Sequence, residues 1–145
     1  MKILLAVDGS PAALAAVQHA LALVSGGMAA DFVLANVQEP PSLYEVVVAH
    51  DPEVLDAVRA AAGADLLEAA TALLEAADAS YETEVAGGEP GHVLVDLIEN
   101  YGCDAVFAGA SGAGGGDPGT GATLQALLRH SPVPVTVVGA PDPAA

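Results

Sequence analysis

The chain of 145 residues is poorest in positive charge, with 3 lysines and arginines against 19 acidic residues and a formal net charge of −16. Its basic residues, Lys2, Arg59 and Arg129, lie far apart in sequence. A nucleic-acid surface needs a basic stripe to displace counterions from phosphates, and none can be assembled here. Adhesion to an anionic membrane is disfavoured on the same ground. Cys103 is the only cysteine, so no internal disulfide can form. Without a resolving partner a redox role is disfavoured, and the plain reading is a small apolar residue at the start of a buried strand. Apolar runs are short: Ala12 to Val24 is interrupted by Gln18 and His19, well below membrane-spanning length. Ile3 to Val7 is too short for a secretory core and lacks a cleavage-site context, so the chain is expected in the cytoplasm. His19, His50, His92 and His130 do not pair at a metal-ligand spacing. No Gly-Lys-[Ser/Thr] step exists for a Walker-type loop, and no nucleophile elbow surrounds Ser10 or Ser111.

What is present is a chain that is 53% hydrophobic and long enough to build a real core. Residues 1–139 are expected to form one domain and 140–145 a disordered tail. Lys2 to Val7 is a continuous apolar run, as a parallel strand buried on both faces requires. Ser10 and Pro11 then supply a cap and a first helical residue, with Leu14, Val17, Leu21 and Val24 at helical spacing. Asp31 to Val37 reads as a second strand. After Asp51-Pro52, the residues Leu55, Val58, Ala62, Leu66, Ala69 and Leu73 mark one face of a long helix. Tyr81 to Ala86 reads as an edge strand, with Glu82 and Glu84 on one face. Glu89-Pro90 opens a helix facing inward through Val93, Leu94, Leu97, Ile98 and Tyr101, and Gly102 ends it. A fourth strand at 104–109, a short helix and a strand at 133–138 complete the alternation. Such alternation predicts an α/β fold, a parallel sheet with helices on both faces.

Between the fourth strand and the last helix lies Gly109-Ala110-Ser111-Gly112, then a glycine-rich run to Gly121-Ala122-Thr123. A glycine turn feeding a helix start aims free N–H groups at one point, which suits a phosphate; it also suits a flexible surface loop, and both readings stay open. In parallel sheets ligands sit beyond the carboxyl ends of the strands where strand order reverses. If the first and fourth strands are neighbours, Asp8-Gly9-Ser10 and the glycine loop line one crevice. Asp8 can then accept from sugar hydroxyls or hold Mg²⁺. Its plain reading is an Asx turn or a cap shared with Ser10.

Along nearly its whole length the chain resembles the universal stress protein family. The likeness is carried by Val7-Asp8-Gly9-Ser10, by Asn36-Val37 with prolines soon after, and by Gly88-Glu89-Pro90. It continues through Asp104 to Gly112 and, most specifically, through Leu127-Leu128-Arg129-His130-Ser131-Pro132-Val133-Pro134-Val135-Thr136-Val137-Val138. The resemblance implies a flavodoxin-like, Rossmann-like three-layer sandwich whose five-stranded parallel sheet has the order 3-2-1-4-5. It implies a homodimer joined through the last strand, here by Val135 and Val137. It implies an adenine nucleotide, ATP or AMP, with Mg²⁺ as its optional companion near Asp8. Ala6, Val7 and Val37 would line the adenine slot beside Asp8.

The family's phosphate motif is Gly-x2-Gly-x9-Gly-[Ser/Thr]. Gly109 and Gly112 match its first glycines, but Gly121-Ala122 closes it one residue early and without a hydroxyl, while Ala122-Thr123 restores the hydroxyl and loses the glycine. Thr123 or Thr120 could supply the oxygen. A side chain at Gly109 is expected to collide with the ligand and leave the fold intact. The charge of −16 opposes a nucleotide without forbidding it. For a ligand of charge −2 the penalty is about 1–1.5 kcal/mol at physiological salt, which makes magnesium or a less charged nucleotide more important than usual. The function implied is a dimeric, nucleotide-sensing stress-response module, at most a slow ATPase. The alternative is a nucleotide-free dimeric interaction module of the same fold.

Overall fold

The computed structural model describes residues 1–38, 52–110 and 121–139, and within the long second helix the side chains only of residues 53, 57 and 63–76. The expected loop through His50, the residues Ser111 to Thr120 and the expected tail from 140 onward lie outside the described residues, as do the side chains of Leu55, Val58 and Ala62. The elements run β1 (Lys2–Ala6), α1 (Pro11–Ser25), β2 (Asp31–Gln38), α2 (Pro52–Ala76), β3 (Tyr81–Gly87), α3 (Pro90–Tyr101), β4 (Ala105–Gly109), α4 (Ala122–His130) and β5 (Val135–Val138). The strands form one sheet in the order β3-β2-β1-β4-β5, every pair parallel. This is the flavodoxin-like α/β arrangement, and strand order reverses between β1 and β4.

Strand alternation divides the core in two. Ile3, Leu5 and Val7 join Phe32, Leu34 and Phe107 on one face, under Ala16, Val17 and Ala20 of α1 and Leu67, Ala70 and Leu74 of α2. Leu4, Val33, Ala35, Val106 and Ala108 form the other face, under Leu94, Leu97 and Ile98 of α3 and Leu124 and Leu127 of α4. Both faces of β1 are apolar because helices cover both.

The inward stripes of the helices differ in detail from the expected ones. On α1 the fully buried residues are Ala12, Ala13, Ala16, Val17 and Ala20, while Leu14, Leu21 and Val24 are half-buried flanks. The small side chains let α1 sit close to the sheet. On α2 the stripe is shifted by one residue: Leu67, Ala70 and Leu74 are buried, whereas Leu66 is 38% exposed and Ala69 is exposed. Gly63 sets that rotation, since a Cβ there would lie 2.4 Å from Val85 Cγ1, so the helix rests its bare backbone on β3.

The helix ends follow local chemistry. Ser10 caps α1 by accepting from the Ala13 N–H at 3.1 Å. Glu89 caps α3, accepting from the N–H groups of Gly91 and His92. Gly102 ends α3 in the left-handed conformation at φ 65°. α3 and α4 meet at Gly91, where a Cβ would fall 2.4 Å from Ala126 Cβ. Gly91→Ala should therefore cost about 1–3 kcal/mol by overpacking. Adding Ala126→Gly should recover part of that, giving a coupling of at least ~0.5 kcal/mol in urea-midpoint measurements. Simple additivity would show that the two helices do not meet there.

Candidate functional site

Every strand runs the same way, so β1, β2 and β4 all end at the carboxyl edge of the sheet. β1 pairs with β4 through Ile3↔Ala105, Leu4↔Val106 and Leu5↔Phe107, which places the ends of both strands side by side. The contact is direct: a Cβ built on Gly109 would lie 2.6 Å from the carbonyl carbon of Ala12 and 2.7 Å from the nitrogen of Ala13. The turn at Asp8-Gly9-Ser10 and the exit of β4 thus share one rim, as the sequence argument required.

Asp8 is half-buried, and its Oδ1 accepts from the Ser10 N–H at 2.9 Å. The plain reading of this acid is therefore realised: an Asx turn holds the bend. One carboxylate oxygen does that work; no other hydrogen bond to Asp8 occurs among the described residues. Gly9 takes φ +85°, and Leu66 of α2 packs over it where a Cβ would stand. The positive φ is what favours glycine there, since the end of the partly exposed Leu66 side chain could shift.

A polar anchor that sequence reasoning passed over lies beneath this turn. Asn36 is only 2% exposed, and its Nδ2 donates to the Val7 carbonyl at 2.8 Å. Its Oδ1 accepts from Gln38 Nε2 at 2.6 Å. Asn36 thereby ties the peptide just before Asp8 to β2. The signal was legible by parity: Asn36 shares a face with Phe32 and Leu34, so a polar residue there must be buried and satisfied. Val7 itself is 2% exposed, its side chain lies in the α1-side core, and its N–H donates to the Ala35 carbonyl at 2.9 Å. It is held as scaffold.

Ala6 and Val37 are half-buried and pack on the opposite, α3-side face. The Ala35 carbonyl turns toward β1 to receive Val7. By the two-residue alternation of a strand, the N–H and carbonyl of Val37 turn the same way, into the gap beyond the last paired residue of β1. That gap adjoins Asp8.

The start of α4 completes the rim. Gly121 occupies the cap position with φ −60° and ψ 144°, and no side chain caps the helix. α1 and α3 have Ser10 and Glu89 for this task. The exposed Ala122 and the half-buried Thr123 form the first turn, so its N–H groups and the positive end of the helix dipole point out of the carboxyl edge. Gly112 lies outside the described residues. Gly109 departs from expectation in one respect. Its missing side chain makes room for the backbone of α1 rather than for a ligand, so a substitution there strikes the fold first.

Other titratable groups lie elsewhere. Lys2 begins β1 at the opposite edge, with Nζ 5.8 Å from the centre of the Tyr101 ring and its N–H donating to Asp104. Burial pushes the Cys103 thiol up from its ordinary value, so it is held neutral in the α3-side core. No group of three or more histidine, cysteine or acidic residues that could hold a metal occurs among the described residues. No helix among them is long and apolar enough to cross a membrane.

The model of the universal stress protein family matches residues 1–139. Among solved structures, the universal stress protein UspA from Lactobacillus plantarum is similar with a TM-score of 0.76 and 25% identity, over 95% of this chain and 97% of that one. A universal stress protein family protein from Arabidopsis thaliana with AMP bound has a TM-score of 0.72 at 19% identity, over 97% of this chain and 92% of that one. A universal stress protein in complex with cAMP has a TM-score of 0.66 at 21% identity, over 97% and 98%. A comparison with curated proteins finds no match.

Two substitutions test the local account. Gly109→Ala should lower stability by about 1–3 kcal/mol with no ligand present, because its Cβ meets main chain. An unchanged melting temperature would place α1 further from β4. Asn36→Leu keeps the branching and the number of heavy atoms but leaves the Val7 carbonyl and the Gln38 amide without their partner. A loss of about 1–3 kcal/mol in urea denaturation is expected, and an unmoved midpoint would show that Asn36 ties nothing.

Proposed function

The chain belongs to the universal stress protein family, and on that premise we propose that it binds an adenine nucleotide, ATP or AMP, at the β1–β4 rim and acts in the cytoplasm as a dimeric sensing module. The observation that carries the reading is the convergence there of the Asp8 turn, the outward backbone of Val37 and the uncapped start of α4. The arrangement suits an adenosine phosphate part by part. Ala6 and Val37 offer an apolar wall, and the Val37 N–H and carbonyl can read the edge of a purine. The remaining oxygen of Asp8 suits a ribose hydroxyl or a phosphate-bound Mg²⁺. The first N–H groups of α4, with Thr123 in its first turn, suit a phosphate. Gly109 supports this set indirectly, by bringing α1 and β4 together. The relatives solved with AMP and with cAMP agree with the ligand class.

The role is binding rather than turnover. The acid nearest the ligand spends one oxygen on the Ser10 N–H, and a group so fixed holds better than it shuttles protons. Residues 1–139 are taken as one domain.

Dimerisation through β5 has its own support. The two edges of the sheet are unlike: β3 carries Glu82 and Glu84, whereas β5 reads Val-Thr-Val-Val with Val137 41% exposed. Charged edges repel strand pairing, and an uncharged one invites it. Val135 packs partly against the α3-side core, so Val137 is the cleaner probe of the interface.

Isothermal titration with AMP and with Mg²⁺–ATP should give saturable heats. Silence for both at millimolar concentration would remove the nucleotide reading and leave the interaction module. Val137→Asp should shift the protein to monomer in sedimentation velocity, since pairing would bury an unpaired charge. An unaltered sedimentation profile would exclude β5 as the interface.

A further inference from the structure

We infer that this site selects among adenine ligands by their charge, favouring the nucleoside, its cyclic phosphodiester and its monophosphate over the free triphosphate. The inference rests on the nucleotide reading above and deepens it. Its source is the field of the whole chain. The net charge of −16 already counts every basic residue. Of these, Lys2 opens β1 at the far edge of the sheet, and Arg129 stands in the last turn of α4, about 10 Å down the axis from the turn that faces the rim. At the rim itself stands Asp8, and α2, whose Leu66 covers Gly9, carries Asp65 and Glu68 on its exposed surface. The third basic residue, Arg59, belongs to α2, and its side chain lies outside the described residues; among the described residues the groups left to hold an anion there are uncharged amides at an uncapped helix start, worth about half a positive charge.

The amides act at contact distance, and salt scarcely touches them. The repulsion is the sum of many charges at ~15 Å, beyond the Debye length of about 8 Å at physiological salt. Each unit of negative charge on the ligand should therefore weaken binding about threefold at ~0.15 M salt and more than about tenfold at ~0.01 M. The salt dependence then has the opposite sign to that of a phosphate site lined with lysine and arginine, where added salt weakens binding. Mg²⁺ would relieve most of the penalty on ATP by lowering its charge.

The experiment is titration of the full chain with adenosine, AMP and Mg²⁺-free ATP at ~10 mM and ~150 mM KCl. Adenosine affinity should stay within about twofold, AMP should tighten with salt, and free ATP should tighten most, by at least about tenfold. ATP binding that weakens with salt, while adenosine or AMP binds, overturns the inference and spares the nucleotide reading. Silence for adenosine and AMP alike removes the nucleotide reading itself. A variant separates the global field from local contacts. Asp31→Lys with Glu99→Lys removes four units of negative charge from exposed positions at the opposite edge of the sheet. At low salt it should strengthen free-ATP binding several-fold and leave adenosine unmoved. Unchanged ATP affinity in that variant would show that the distributed charge is not the source of the selection.

Discussion

The pairing of β1 with β4 is the contact on which the rest of this molecule depends. These strands are separated by most of the chain, yet Leu4 meets Val106 in register. Their pairing reverses the strand order, opens a crevice at the carboxyl edge and brings the Asp8 turn beside the exit of β4. The helix that follows β1 packs closely on β4 because Gly109 has no side chain: the backbone of α1 occupies the place where a Cβ would stand. The expectation that the fold would tolerate a side chain at Gly109 is thereby corrected, since that position serves the scaffold beside the proposed site. Phosphate-holding amides and close helix packing both call for a residue without a Cβ, and a sequence cannot tell them apart.

The site is built chiefly from main chain. Asp8 spends one oxygen on its own turn, and β2 holds Val7 by both its N–H and its carbonyl, through Ala35 and the Asn36 side chain. Hydrogen bonds of this kind fix the backbone, and a fixed backbone can present N–H and carbonyl groups without any charged side chain. This matters in a chain with so few cations. Among the described residues, a site that relied on lysine and arginine could not be assembled from Lys2 and Arg129, which lie at the other end of the sheet. On the proposed reading, preorganised amides would hold an anion locally, while the distributed acid surface would oppose it at long range. That balance of a short-range attraction and a long-range repulsion is what would give ionic strength its leverage.

The edges of the sheet carry a similar contrast. Glu82 and Glu84 guard β3, and nothing charged guards β5. Both facts are printed in the sequence. That these strands are the edges is a matter of topology, because strand order is set by which crossovers pack best.

The sequence by itself determined the class of fold, the alternation of elements and the caps at Ser10-Pro11 and Gly102, because these depend on periodicity and on the chemistry of neighbouring residues. It also determined the charge, which needs no structure. Tertiary structure alone decided three things. α2 turns Leu67 rather than Leu66 into the core, because Gly63 lets the helix lie on β3. Asn36 is a buried anchor, because β2 presents that face to the core. Gly109 faces a helix backbone, because β4 lies beside β1. Each is a contact between segments remote in the chain, and local preference carries no information about which remote surface a residue will meet.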